Sequence, residues 1–138
     1  MKVVARRRSG FTNDVEIEGG HAMVIDEPVE AGGANEGPSP TRTLGAALAA
    51  CTAITCEMYA DRKGWELGRL EVDVEIAYDE SRGRASGFEV MLRVPEPLDE
   101  DQQQRLLTIA GKCPVHRIIA GETPVEVVDR IECQVPPG

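Results

Sequence analysis

Residues 38–64, PSPTRTLGAALAACTAITCEMYADRKG, constrain the fold more than any other stretch of the chain. Pro40 suits the first turn of a helix, where its missing N–H would have had no partner, and Ser39 before it is an able N-cap. From Leu44 to Met58 there is no proline, little charge and abundant alanine, so helix is strongly favoured. Lys63 and Gly64 supply a stop. At about 100° per residue, Leu44, Ala47, Leu48, Cys51, Ile54, Thr55 and Met58 fall within about 60° of one line, with Cys51 at its centre. The opposite side, Gly45, Ala49, Thr52 and Cys56, is small rather than charged. A helix that is apolar or small on nearly every side must be covered on nearly every side. The pattern therefore predicts a central buried helix carrying a thiol, wrapped by the other elements.

The flanks read as strands and shorter helices. Residues 2–8 and 13–18 look like two strands punctuated by Gly10 and Asn13, and Gly19-Gly20 turns the chain into a third over His21–Asp26. The Gly-, Pro- and Glu-rich stretch 27–39 is a long loop leading into the helix, the kind of segment that often serves a site. After the helix, Leu70, Val72, Val74, Ile76 and Tyr78 alternate with polar residues on a half-buried strand over 69–79. A polar loop over 80–87 leads to a return strand carrying Phe88, Val90, Leu92 and Val94. A second helix spans 99–112, with Asp99, Glu100 and Asp101 at its positive end and Leu106, Leu107 and Ile109 as core contacts. Gly111 breaks it, and Cys113-Pro114 begins a third helix, with the cysteine at the N-cap. Val125, Val127, Ile131, Cys133 and Val135 predict a last strand over 125–135. The order implies one α+β domain over residues 1–138, with helices packed on antiparallel sheet.

Composition excludes several partners. With a net charge of −9 and a pI near 4.7, the chain is ill suited to neutralising phosphates or anionic lipid, and the run Arg6-Arg7-Arg8 is too short to reverse that. No stretch reaches the roughly 18 consecutive apolar residues of a membrane span. We therefore expect no nucleic-acid and no membrane partner. The N-terminus MKVVARRRSG lacks the apolar core of a secretory signal, so the expected location is cytoplasmic, where cysteines stay free.

The four cysteines differ in setting. Cys51 is either a small buried hydrophobe or an activated thiol. Cys113 stands at a helix start, where unpaired N–H groups favour a thiolate, with His116 and Arg117 in the next turn; its cap position is also readable as incidental. Cys56 lies about 140° around the helix and about 7.5 Å along it from Cys51, which forbids a disulfide between them. Cys56 and Cys133 read as core packing. If two thiols cooperate, they are Cys51 and Cys113. The spacing of Cys113 and His116 does not match that of zinc sites, and no phosphate-binding glycine loop or GxSxG elbow is present. No metal and no cofactor is expected.

The GPSP loop, the helix LGAALAACTAITCEMYADRKGW and the later motif KCPVHR together resemble the OsmC/Ohr family (osmotically inducible protein C and organic hydroperoxide resistance protein). The stretch Asp26–Gly33 is similar to the OsmC-like branch. The resemblance implies an intertwined homodimer whose antiparallel sheets enclose two central helices, with active sites at the subunit interface. It implies a thiol peroxidase of oxidative stress defence acting on small organic hydroperoxides, with Cys51 as the reactive thiol, Cys113 as its disulfide partner and an external dithiol as reductant. In peroxidase members a glutamate follows the proline at the loop–helix junction and orients an arginine over the thiolate; here that position is Thr41. Arg42, Arg117 and His116 are the candidates for stabilising a Cys51 thiolate, with Arg62 a further source of charge.

Two other functions compete. A non-peroxidatic OsmC-like protein would bind a small apolar or thiol-reactive ligand at the dimer interface, and Thr41 favours that reading. A structural or interaction protein would use its cysteines only as core residues.

Overall fold

A computed structural model describes residues 1–135 and 137 of the chain. Eight regular elements follow in order: β1 (Val3–Ser9), β2 (Thr12–Ile17), β3 (His21–Ile25), α1 (Pro40–Lys63), β4 (Glu71–Asp79), β5 (Arg84–Arg93), α2 (Glu100–Ala110) and α3 (Pro114–Ile119). The strands form two separate antiparallel sheets, β1-β2-β3 and β4-β5. The α+β class and the long central helix are as the sequence predicts.

Local chemistry sets the ends of α1. The Arg42 N–H donates to Ser39 Oγ at 3.2 Å, Pro40 occupies the first turn, and Gly64 closes the helix at φ 69°. Its small side makes close packing with β4 feasible: a Cβ on Gly45 would lie 2.7 Å from Ile76 Cδ1. Farther along, Cys56 and Ala60 join Leu67, Leu106 and Ala110 in the core, with Trp65, Leu70, Leu92, Val94 and Leu98 packed against them. By length and mean hydropathy α1 also passes for a membrane span, though it lacks 18 consecutive apolar residues, and its small side packs on β4, α2 and α3 as a core helix does.

The β1–β3 sheet makes no comparable packing with the helices or with β4 and β5. The arginines of β1 are engaged on that sheet: Arg6 pairs with Glu16 at 2.9 Å, Arg8 pairs with Asp14, and the Arg7 side chain donates to the Gly10 carbonyl. Cross-strand charge pairing of this kind steadies a sheet face.

The loop from β3 to α1 winds around Asp26, which is 1 % exposed. Its carboxylate accepts from Thr12 Oγ1 at 2.7 Å and from the N–H groups of Glu27, Ala34 and Glu36 at 2.7, 3.3 and 3.2 Å. Burial, the largest single influence, opposes ionisation, but the four hydrogen bonds together outweigh it and hold Asp26 below the usual carboxylate range. Gly33 and Gly37 let the loop pass this closely, since a Cβ on either would lie 2.0 or 2.1 Å from a backbone carbonyl oxygen.

Three sequence expectations need correction. The stretch 125–135 is not a strand: it is irregular and open, with Ile131 92 % exposed and Cys133 at the surface rather than in the core. Alternation prepares a segment for a ladder, but among the described residues no strand pairs with it. Leu107 is exposed, because α2 turns Leu106 and Ala110 inward instead. Tyr78 leaves the buried face of β4, where the pairing with β5 shifts register between Ala77 and Tyr78.

The fourth correction concerns α1. Its buried line is the small one, Gly45, Leu48, Thr52, Cys56, Tyr59 and Ala60. The apolar line is left open, with Leu44, Ile54 and Met58 between 42 and 61 % exposed. Within one chain, the helix is covered on one side only.

Candidate active site

Two elements bring the sulfurs of Cys51 and Cys113 together. Cys51 projects from the middle of α1, half-buried, on the line that carries Leu44, Ile54 and Met58. Cys113 is the N-cap of α3 and is completely buried. Gly111 ends α2, and Pro114 starts α3 within three residues, so the chain turns sharply at Cys113. Helix α3 packs on α1 and brings Cys113 near enough to Cys51 for the Cys51 thiol to raise the Cys113 pKa.

The electrostatics of Cys113 differ from the sequence reading. A helix start was expected to favour its thiolate. The N–H groups of His116 and Val115 do act that way, the former at 3.5 Å from Sγ. Burial acts in the opposite direction and is stronger, and the neighbouring Cys51 thiol adds to it, so the Cys113 pKa is raised. A helix of six residues has little dipole to set against complete desolvation. Cys113 therefore holds its proton more firmly than a free thiol does.

The three candidates for stabilising charge are placed differently. Arg42 is exposed in the first turn of α1, and its backbone N–H serves the Ser39 cap. Arg117 is exposed and reaches Glu122 at 4.0 Å. His116 is partly buried, bonds to Cys113 through its backbone, and has a buried Nδ1 with no partner among the described residues. It lines a cleft of about 370 Å3 shared with Leu48, Phe88, Val90 and Ile119. Arg62 lies in the last turn of α1, three turns beyond Cys51. Among the described residues no three His, Cys, Asp or Glu side chains are grouped to hold a metal ion.

Sequence reasoning missed two features. Thr52, beside Cys51, is buried with no partner for its Oγ1 among the described residues, a placement that helical periodicity shows only once the covered side is known. Cys56 is near enough to Cys113 for that thiol's charge to add to the burial that raises the Cys56 pKa, which helix register alone does not show.

The fold recurs in solved structures. A protein of Psychrobacter arcticus 273-4, described in terms of osmotic stress induction and detoxification, superposes with a TM-score of 0.79 at 19 % identity, covering 86 % of this chain and 87 % of that one. An OsmC-like protein of Mycoplasma pneumoniae gives 0.70 at 18 % identity, over 87 % and 85 % of the two chains. The organic hydroperoxide resistance protein OhrB of Bacillus subtilis gives 0.61 at 27 % identity, over 87 % and 90 %. No curated protein matches the sequence. The family described as OsmC-like protein matches residues 33–128, a span that holds α1, both sulfurs and the turn at Cys113. On that match, the chain belongs to the OsmC-like protein family.

Proposed function

We propose that the protein is a thiol peroxidase that reduces small organic hydroperoxides through Cys51 and Cys113. The observation that carries this reading is the pairing of the two thiols: a half-buried sulfur on an apolar helix face, beside a buried partner that holds its proton more firmly than a free thiol. The Cys51 thiolate attacks the terminal oxygen of the hydroperoxide, the O–O bond breaks, and the departing alkoxide takes a proton from solvent to leave as the alcohol. Cys51 is left as a sulfenic acid. The Cys113 sulfur attacks it, water departs, and a disulfide forms; an external dithiol returns both thiols by exchange. Leu44, Ile54 and Met58 beside Cys51 give an apolar approach, which favours organic over hydrogen peroxide.

The same open line supports a homodimer. Apolar side chains along one helix call for a cover, and a second copy offers the β1–β3 sheet, which packs on nothing comparable in its own chain. In this reading the enzyme works in the cytoplasm, where dithiol reductants are available.

A second reading has its own support. Thr41 replaces the glutamate of peroxidase members, and the cleft at His116 offers an unpartnered imidazole nitrogen among apolar walls. A non-peroxidatic protein would bind a small apolar ligand without turnover. Cumene hydroperoxide consumption with a dithiol reductant separates the two. The peroxidase reading expects turnover that disappears in Cys51→Ser; turnover retained in both Cys51→Ser and Cys113→Ser rejects it. Negligible turnover with saturable ligand binding selects the second.

A further inference from the structure

The β1–β3 sheet has no packing comparable to that of β4 on α1, so what aims it is the loop that joins β3 to α1. That loop is closed at its neck, where the Asp26 N–H donates to the Pro38 carbonyl at 3.1 Å, one residue before the Ser39 cap of α1. The Asp26 carboxylate ties the ring together. Its Oδ2 accepts from Thr12 on β2 and from the N–H groups of Ala34 and Glu36, and its Oδ1 accepts from the Glu27 N–H. Phe11, in the β1–β2 turn, lies on the same loop, since a Cβ on Gly32 would be 3.2 Å from its ring. The start of β2, the end of β3, the loop and the approach to α1 thus meet at one buried side chain.

We propose that Asp26 is a positioning residue, a clasp that aims the β1–β3 sheet of one subunit across the Cys51 face of α1 in the other. The proposal rests on the homodimer reading, in which that sheet covers the open line of Leu44, Ile54 and Met58. A sheet held only at one end is a lever. Strand β1 has seven residues, so the sheet extends roughly 20 Å. Slack of about 10° at the clasp would move its far end by roughly 4 Å, the whole of a van der Waals contact.

An ionised carboxylate is the group that removes the slack. Four donors converge on it from two directions, and both of its oxygens accept without offering a proton in return. An asparagine has the same shape and fails at one end: its NH2 group would face either the Glu27 N–H or the three donors on the Oδ2 side. The loop is cut to this side chain, since a Cβ on Gly33 would lie 2.8 Å from Asp26 Oδ1.

Alkylation by N-ethylmaleimide, read peptide by peptide in the native full-length protein, tests the clasp without peroxide. Cys51 is half-buried within its own chain and gains its remaining cover from the other subunit, while Cys56 is sealed in the core of its own chain. Asp26→Asn is expected to raise the Cys51 rate roughly tenfold or more, the scale of leaving a buried donor unpaired, with the Cys56 rate unchanged. Thr12→Val, which removes one of the hydrogen bonds, is expected to give a smaller rise in the same direction. In Ile54→Glu monomers Cys51 is already uncovered, so adding Asp26→Asn is expected to leave its rate as it is. An unchanged Cys51 rate in Asp26→Asn, or Cys51 and Cys56 rising together in both clasp variants as a loosened core would make them, would overturn the proposal. Sedimentation keeps the two claims apart. A wild-type monomer would sink the homodimer reading and the clasp with it, whereas a wild-type dimer whose Cys51 is indifferent to Asp26→Asn would sink the clasp alone.

Discussion

The two long sides of α1 meet opposite fates. The side of Gly45, Leu48, Thr52, Cys56, Tyr59 and Ala60 is sealed by β4, α2 and α3, while the side of Leu44, Cys51, Ile54 and Met58 stays open. The more hydrophobic side is the uncovered one. Side-chain size explains the choice within one chain, since a glycine at position 45 lets Ile76 of β4 approach as no larger residue would. The lesson for the chemistry is direct. One helix presents two thiols in contrasting states, Cys51 within reach of a small molecule and Cys56 shut away with its proton.

The contrast can be broken most sharply at the open side. Cys51→Ser is expected to lower organic hydroperoxide consumption on the order of a thousandfold or more, the usual scale for losing a nucleophile. A loss confined to a few-fold would remove Cys51 from the centre of the account. On the sealed side, Leu48→Ala is expected to destabilise by about 2–5 kcal/mol, measured by urea unfolding. A cost under about 1 kcal/mol would mean that this side is not the packed one.

Titration sharpens the same comparison. Cys56 has a folded pKa of about 11 against an ordinary 9.0, so the unfolded chain releases the proton first. Its contribution to stability is complete below pH 9 and is lost as pH rises toward 11, with a total of roughly 2–3 kcal/mol. Cys56→Ala should show a flatter alkaline limb than wild type; parallel limbs would mean that Cys56 is not desolvated. The smallest effect on stability belongs to Ile54→Glu, about 0.5 kcal/mol or less for a surface position. Sedimentation velocity should nonetheless shift that variant from dimer toward monomer. An unaltered dimer would locate the subunit contact elsewhere.

Much of this was legible in the residues. Ser39, Pro40 and Gly64 bracket α1 because capping and stop signals are local chemistry. Asp99 with Gln102, then Gly111 and Cys113-Pro114, mark α2 and α3 for the same reason. The alternation at 125–135 is equally real, but a strand needs a partner ladder, and sequence periodicity does not say where one is. Cys133 followed that stretch to the surface.

The candidate site was legible only in pieces. Weighing the four cysteines left Cys51 and Cys113 as the pair if two cooperate, and family resemblance gave them roles; nothing in helical spacing brings α3 to α1. The charge state of Cys113 was misjudged because its backbone setting is visible in sequence, while complete burial is a property of the assembled fold. Asp26 read as the last residue of the third strand and the first of a stretch resembling the OsmC-like branch, and its role as the hub of four hydrogen bonds needed the loop's path.

The central claim is that Cys51 and Cys113 act as one redox pair. Its most direct test is mass spectrometry of the native protein after one equivalent of cumene hydroperoxide, quenched within seconds by acid and digested without reduction. The account predicts a 51–113 disulfide in wild type and a Cys51 sulfenic acid, trapped by dimedone, in Cys113→Ser. Wild type recovered with all four thiols free while the peroxide remains unconsumed would contradict it.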